Sequence, residues 1–168
     1  MEWLRGIIKD WGIALGVLVV VFVVWNMVFS PKPTQTGPAP GFSLPDLNET
    51  VYDLGDYADQ TVVLNFWFTS CGPCRREIPE LAAFHTAHPE IPLFGISVDR
   101  MPRRALAAKS RQLGINYTVL HDENNRVAHD YGVSLFPATF VVVDGQITTY
   151  RMGEVTAARL EQMVASTE

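Results

Sequence analysis

The two cysteines of this chain, Cys71 and Cys74, stand two residues apart in FWFTSCGPCRREIP, residues 66–79. Thiols at that spacing can close a structural disulfide, supply half of a metal site, or act as a working redox pair. His85 and His88 follow in the order C-x2-C-x10-H-x2-H, which has the ligand types of a zinc finger but shorter spacings. A helix running from Cys74 to His85 would separate them by roughly 16 Å of rise, whereas zinc needs sulfur and nitrogen about 2 Å from the ion. Unless Pro79 breaks that helix sharply, no metal is expected, and the histidines read as surface residues near the helix end. A disulfide closing a two-residue loop gains little entropic stabilisation. Redox work is the reading that remains.

Redox work requires an element that makes one sulfur acidic. Residues 61–68, TVVLNFWF, are β-branched and aromatic and read as a buried strand. From about residue 72 to residue 88, Ile78, Leu81, Ala82 and Phe84 recur at helical spacing. The cysteines therefore fall where a strand ends and a helix begins. Free backbone N–H groups and the positive end of the helix dipole stabilise a thiolate there, which predicts a lowered pKa and a nucleophilic role for Cys71. Pro73 suits the first turn, where its missing N–H costs nothing. Cys74, on the same side of that turn, can reach the Cys71 sulfur and resolve a mixed disulfide. Arg75 and Arg76 could add positive potential, although long basic side chains on a helix surface are more often solvated bystanders.

The rest of the chain alternates. Residues 92–98 read as a strand, 102–113 as a helix stopped by Gly114, and 117–120 as a short extended piece. A short helix is expected over 123–131 with Asp122 as N-cap. Residues 138–143 and 146–151 flank Asp144–Gly145, the strongest hairpin signal in the sequence, and an amphipathic helix covers about 156–165. Alternating strands and helices that end in a hairpin and a helix imply an α/β domain with a mixed sheet.

The N-terminal part is different in kind. Residues 11–29, WGIALGVLVVVFVVWNMVF, carry no charge, and as a helix they would cover a bilayer's roughly 30 Å core. Trp3, Trp11 and Trp25 fall near the expected interfaces. A cleaved signal peptide is the rival reading, but no small-x-small site follows, and a cut after Ser30 would leave Pro31 behind it. Arg5 and Lys9 precede the span and only Lys32 closely follows it, so residues 1–10 are expected in the cytoplasm and the body outside it. Residues 30–41, SPKPTQTGPAPG, have the composition of an extended linker, leaving 42–168 as the folded domain. Beyond residue 32 the chain carries ten basic and sixteen acidic side chains, a formal charge of −6. That balance argues against nucleic-acid binding.

With these residues in place, the chain resembles the thioredoxin superfamily. It is most similar to the membrane-anchored TlpA/ResA/CcmG-type branch of bacterial extracytoplasmic thiol:disulfide oxidoreductases. The similarity covers about residues 40–165 and rests on two blocks, VVLNFWFTSCGPCRREIPEL and YGVSLFPATFVVVDGQI. The resemblance implies a thioredoxin-like fold behind a transmembrane helix, with Cys71 and Cys74 catalytic. Trp67, Gly72, Pro73, Phe136 and Pro137 would shape the site. It further implies a cis Phe136–Pro137 bond beside Cys71, with Phe136 offering backbone groups to an extended substrate segment. The plainer alternative is an ordinary proline at a strand entrance.

Where cytosolic thioredoxins bury an aspartate, this chain has Asn65, which cannot take a proton from Cys74. Glu77 and Asp99 are the candidates for that transfer, each also readable as a solvated charge. Ser70 replaces an aromatic before the first cysteine, and Ala138 a threonine after the proline. The activity implied is reduction of disulfides in extracytoplasmic proteins, for example in cytochrome c maturation. No cofactor is expected beyond the cysteine pair, and electrons would come from a membrane thiol protein. An oxidase or isomerase of secreted proteins, and a non-catalytic metal-handling or chaperone module, are the alternatives.

Overall fold

The structure, a computed structural model, describes residue 16, residues 18–22 and residues 36–166. The chain divides into two units, Met1–Lys32 and Pro33–Glu168. In the first, residues 16 and 18–22 are helical, and the apolar side chains from Leu18 to Phe22 are exposed. Among the described residues no helix is long and apolar enough to cross a membrane. The expected span over 11–29 lies mostly outside them.

The second unit is an α/β domain. Its strands are β1 (Gly37–Pro38), β2 (Ser43–Pro45), β3 (Val51–Asp53), β4 (Thr61–Trp67), β5 (Leu93–Ser97), β6 (Thr118–His121), β7 (Ala138–Val143) and β8 (Gln146–Met152). Its helices are α1 (Gly72–Ala87), α2 (Arg103–Gln112), α3 (Arg126–Asp130) and α4 (Ala157–Ala165), with a 3-10 turn at Leu54–Tyr57. Six strands form one mixed sheet in the order β1-β8-β7-β4-β5-β6. β4, β5 and β6 run parallel, while β7 is antiparallel to both β4 and β8.

β4 is central, and six of its seven residues are buried because both sheet faces are covered. Its alternation divides the core. Val62, Leu64 and Phe66 pack with Phe94, Ile96, Phe140 and Tyr131 on one face. On the other, Val63 packs with Leu81 and Phe84 of α1 and with Leu160 and Met163 of α4. Trp67, also on that second face, joins Cys71, Cys74, Ile78 and Leu106 in a third cluster under the strand end. Pro79 sits inside α1, which continues through it to Ala87.

Several expected boundaries move. β1 pairs with β8 inside the stretch read as linker, Gly37 opposite Ile147, and Ala39 N–H donates to the Gly145 carbonyl. Folded structure therefore begins before residue 42: two residues suffice for an edge strand, and proline is tolerated there because its missing N–H can face outward. The β2–β3 hairpin and the 3-10 turn are additions, too short to show a period. Asp122 is not the N-cap of α3. That position belongs to Asn125, in a left-handed conformation, yet the Asp122 carboxylate still accepts from Arg126 N–H at 3.0 Å and Ala128 N–H at 2.9 Å. The Asp144–Gly145 hairpin is as expected, with φ of 50° and 71°, as a type I′ turn requires.

Candidate functional site

Where β4 ends, the chain turns through residues 68–71 into α1, and Cys71 is the helix N-cap. Its extended backbone lets Cys71 Sγ accept the Cys74 N–H at 3.1 Å, while its carbonyl accepts the Arg75 N–H at 3.1 Å. A sulfur thus occupies the place that a serine or aspartate oxygen holds in ordinary helix caps. Cys71 and Cys74 form a disulfide across a Cα separation of 5.3 Å. Both are buried, Cys74 more completely, at 1% exposed against 5% for Cys71. Cys71, at the cap, is the more exposed residue of the pair.

Asp99 holds the loop before the cap. Its carboxylate accepts Thr69 N–H and Thr69 Oγ1–H, each at 2.8 Å, and Ser97 Oγ–H at 2.9 Å. Behind it, His121 Nε2 donates to the Asp99 carbonyl at 2.8 Å. Both Asp99 carboxylate oxygens are committed to the turn that carries Cys71.

Glu77 lies elsewhere. One helical turn after Cys74, it is on the same face of α1 and 1% exposed, so the reading of it as a solvated charge is wrong. Three segments converge on its carboxylate. Asn65 Nδ2 donates to Oε2 at 3.2 Å, Val155 N–H to Oε1 at 3.0 Å, and Thr139 Oγ1–H to Oε1 at 3.4 Å. Asn65 spends its second N–H on Thr139 Oγ1 at 3.0 Å, which leaves that hydroxyl's proton for Glu77. Burial pushes the Glu77 carboxyl up to about 7, against the pull of the three donors, and the charge of Glu154 adds to the rise.

The loop between α3 and β7 completes the surroundings. The Phe136–Pro137 bond is cis. Phe136 packs against the cluster that holds both cysteines, and its ring meets Phe68 edge-on with centroids 5.4 Å apart. Leu135, beside it, is an exposed large hydrophobic residue. Gly72 and Pro73 form the first turn of α1, and Trp67 lies buried beneath the cysteines. Arg75 is exposed, and Arg76 is engaged by Glu154 through two hydrogen bonds.

The zinc-like arrangement is not assembled. The cysteines bond each other at one end of α1, while His88 at the other end faces Glu90 and Glu161. His85 is half-buried against Tyr117. Among the described residues no three His, Cys, Asp or Glu side chains gather as metal ligands. Thr139 and Val155 were absent from the expected site. Thr139 stands opposite Asn65 in the sheet register, so only strand pairing could have pointed to it.

A mixed sheet with a dithiol at the start of a helix and a cis-proline loop packed against it defines the class: a thioredoxin-like fold. Residues 36–151 match the model of the AhpC/TSA family. The chain is 31% identical over 147 residues to the thiol-disulfide oxidoreductase ResA of Bacillus thuringiensis, covering 84% of each chain. It is 29% identical over 160 residues to the ResA of Bacillus subtilis, covering 88% of each. Among solved structures, one from Chlorobium tepidum assigned as the thiol:disulfide interchange protein DsbE superposes with a TM-score of 0.71 at 25% identity. The superposition covers 79% of this chain and 96% of that one. The chain belongs to the AhpC/TSA family, among its thioredoxin-like thiol:disulfide oxidoreductases.

Proposed function

We propose that this protein reduces disulfides in extracytoplasmic partner proteins, using Cys71 and Cys74 as its only redox group. The observation that carries the reading is the cap: Cys71 Sγ accepts a helix N-terminal amide at 3.1 Å, a position that stabilises charge on that sulfur. Cys71 thiolate attacks a partner disulfide and one partner sulfur leaves as thiolate. Cys74 then gives up its proton and attacks Cys71 Sγ, releasing the second partner sulfur and closing the Cys71–Cys74 bond.

Glu77 is the acceptor for the Cys74 proton. It is buried one helical turn away, and its pKa of about 7 lets it hold or release a proton near neutrality. Asp99 positions the loop rather than moving protons. Phe136 and Pro137, with exposed Leu135, form the surface on which an extended partner segment lies.

The apolar stretch 11–29 anchors the chain in the cytoplasmic membrane, and the bias of Arg5 and Lys9 over Lys32 puts the domain on the outer side. A membrane thiol protein returns the electrons. Assembly of c-type cytochromes or other metalloproteins is the setting that suits such a reductase.

The test is capture in cells with full-length Cys74→Ser. Unable to resolve its mixed disulfide, the variant is expected to accumulate adducts through Cys71 that a reductant releases, and the captured chains are the substrates. Absence of adducts, or a reduction potential as high as that of a strong oxidant such as DsbA, about −120 mV, would overturn the assignment.

A further inference from the structure

Three of the five buried side-chain atoms without a hydrogen-bond partner among the described residues belong to the lining of one cavity. They are Tyr117 Oη, His85 Nδ1 and Ser110 Oγ. The cavity, of about 430 Å³, lies between α1, α2, the start of β6 and the β2–β3 hairpin, and Arg111 and Asn116 also line it. Buried polar atoms in folded proteins are almost always paired, with ordered water where protein groups do not reach. A water needs room and two to four polar partners, and this cavity offers both.

Tyr117 points this cluster toward the cysteines. Its ring lies over Gly95, where an added Cβ would stand 2.8 Å from Tyr117 Cε2 and 3.2 Å from Trp67 Nε1, a fourth unpartnered atom. Gly95 is in register with Asn65, so the two face the same side of the sheet. A bare glycine therefore lets a phenol from the β6 side reach the row in which Asn65 holds Glu77. Glu77 acts electrostatically on Tyr117, whose phenol is pushed up first by burial and then by that charge.

We propose that ordered water joins these groups into a route by which Glu77 exchanges its proton with solvent, through Tyr117 and the His85–Ser110 cavity. The route rests on the reading that Glu77 takes the Cys74 proton. On resolution the Cys74 S–H bond breaks and its proton goes to the Glu77 carboxylate. The sulfur electron pair bonds Cys71 Sγ, and the partner sulfur leaves with its own pair as thiolate. Two electrons have then passed from the dithiol to the partner. The proton left on Glu77 passes to water, and the Tyr117 hydroxyl accepts one proton as it donates its own, so it relays without ionising. Glu154 before α4 and Tyr117 interact electrostatically with Glu77, and Cys74 precedes it by one turn of α1. Those around Tyr117 are His85, Arg111 of α2 and Asp46 of the hairpin, whose carboxylate accepts the Asn48 and Thr50 amides.

The test observes the Glu77 carboxyl carbon by NMR in the full chain, reduced and labelled at glutamate, near pH 7. In the wild type the protonated and ionised forms are expected to average into one titrating signal. In Tyr117→Phe, exchange is expected to slow about tenfold or more, and added imidazole, a mobile proton carrier, should restore it. Ser110→Ala should slow exchange to a smaller extent, and serves if the phenylalanine variant does not fold. Exchange as fast as wild type in the variants, or slow exchange that imidazole leaves untouched, overturns the route. Glu77→Gln separates the two claims. If it leaves the pH profile of reaction with oxidised glutathione unchanged, the role of Glu77 in the exchange fails, whatever Tyr117 does to its proton.

Discussion

Two carboxylates stand near the cysteine turn, and the fold treats them in opposite ways. Asp99 is half-buried at the end of β5 and spends both oxygens on Thr69 and Ser97. Glu77 is sealed between α1 and the sheet among neutral donors. A carboxylate committed to a turn sets geometry. One held away from water by partners too few to offset its desolvation keeps a proton to near neutral pH, and that suits it to chemistry. The surroundings, not the residue type, set the two carboxylates apart.

The largest effect is expected in stability. The folded-state pKa of Glu77 is raised from 4.5 to about 7, so the protonated carboxyl favours the folded state. That stability is fully present below pH 4.5 and is lost as pH rises through 7. Relative to Glu77→Gln, the wild type should lose about 3 kcal/mol between pH 4 and pH 8, measured by urea unfolding across that range. A constant difference between the two proteins would mean that Glu77 titrates as a surface group. At pH 8 the same variant, with no base to take the Cys74 proton, should resolve a glutathione mixed disulfide about 10²-fold more slowly.

Asp99→Asn should behave differently. Losing charge-assisted bonds to the turn is expected to cost about 1.5–3 kcal/mol of stability, with the pH midpoint of exchange left where Glu77 sets it. A moved midpoint would put Asp99 in the proton chemistry. The smallest effect belongs to Thr139→Val. Its hydroxyl reaches Glu77 at 3.4 Å, and removing so long a bond should raise the Glu77 midpoint by only a few tenths of a unit, readable by carboxyl NMR.

Much of this arrangement was legible in the residues themselves. The start of α1 could be placed because an apolar β-branched run breaks at a glycine–proline pair, and the Asp144–Gly145 hairpin because few other dipeptides tolerate two positive φ angles. The burial of Glu77 was not legible. Its partners lie 12, 62 and 78 residues away in sequence; strand register brings Asn65 beside Thr139, and the segment before α4 delivers Val155. β1 was hidden for the converse reason. Its proline and glycine describe an extended chain equally well whether a sheet edge receives it or water does. The displaced cap at α3 reflects the reach of an aspartate side chain: Asp122 bonds the first-turn amides from outside the capping position.

The proposed exchange chemistry requires that the helix start make the Cys71 sulfur the acidic one. The direct measurement is the rate of iodoacetamide labelling of each cysteine against pH in the reduced full chain, resolved by mass spectrometry. Cys71 should label with a midpoint well below the ordinary thiol value of about 8.5, while Cys74 stays protected to higher pH. Two sulfurs ionising together near 8.5 would contradict the account.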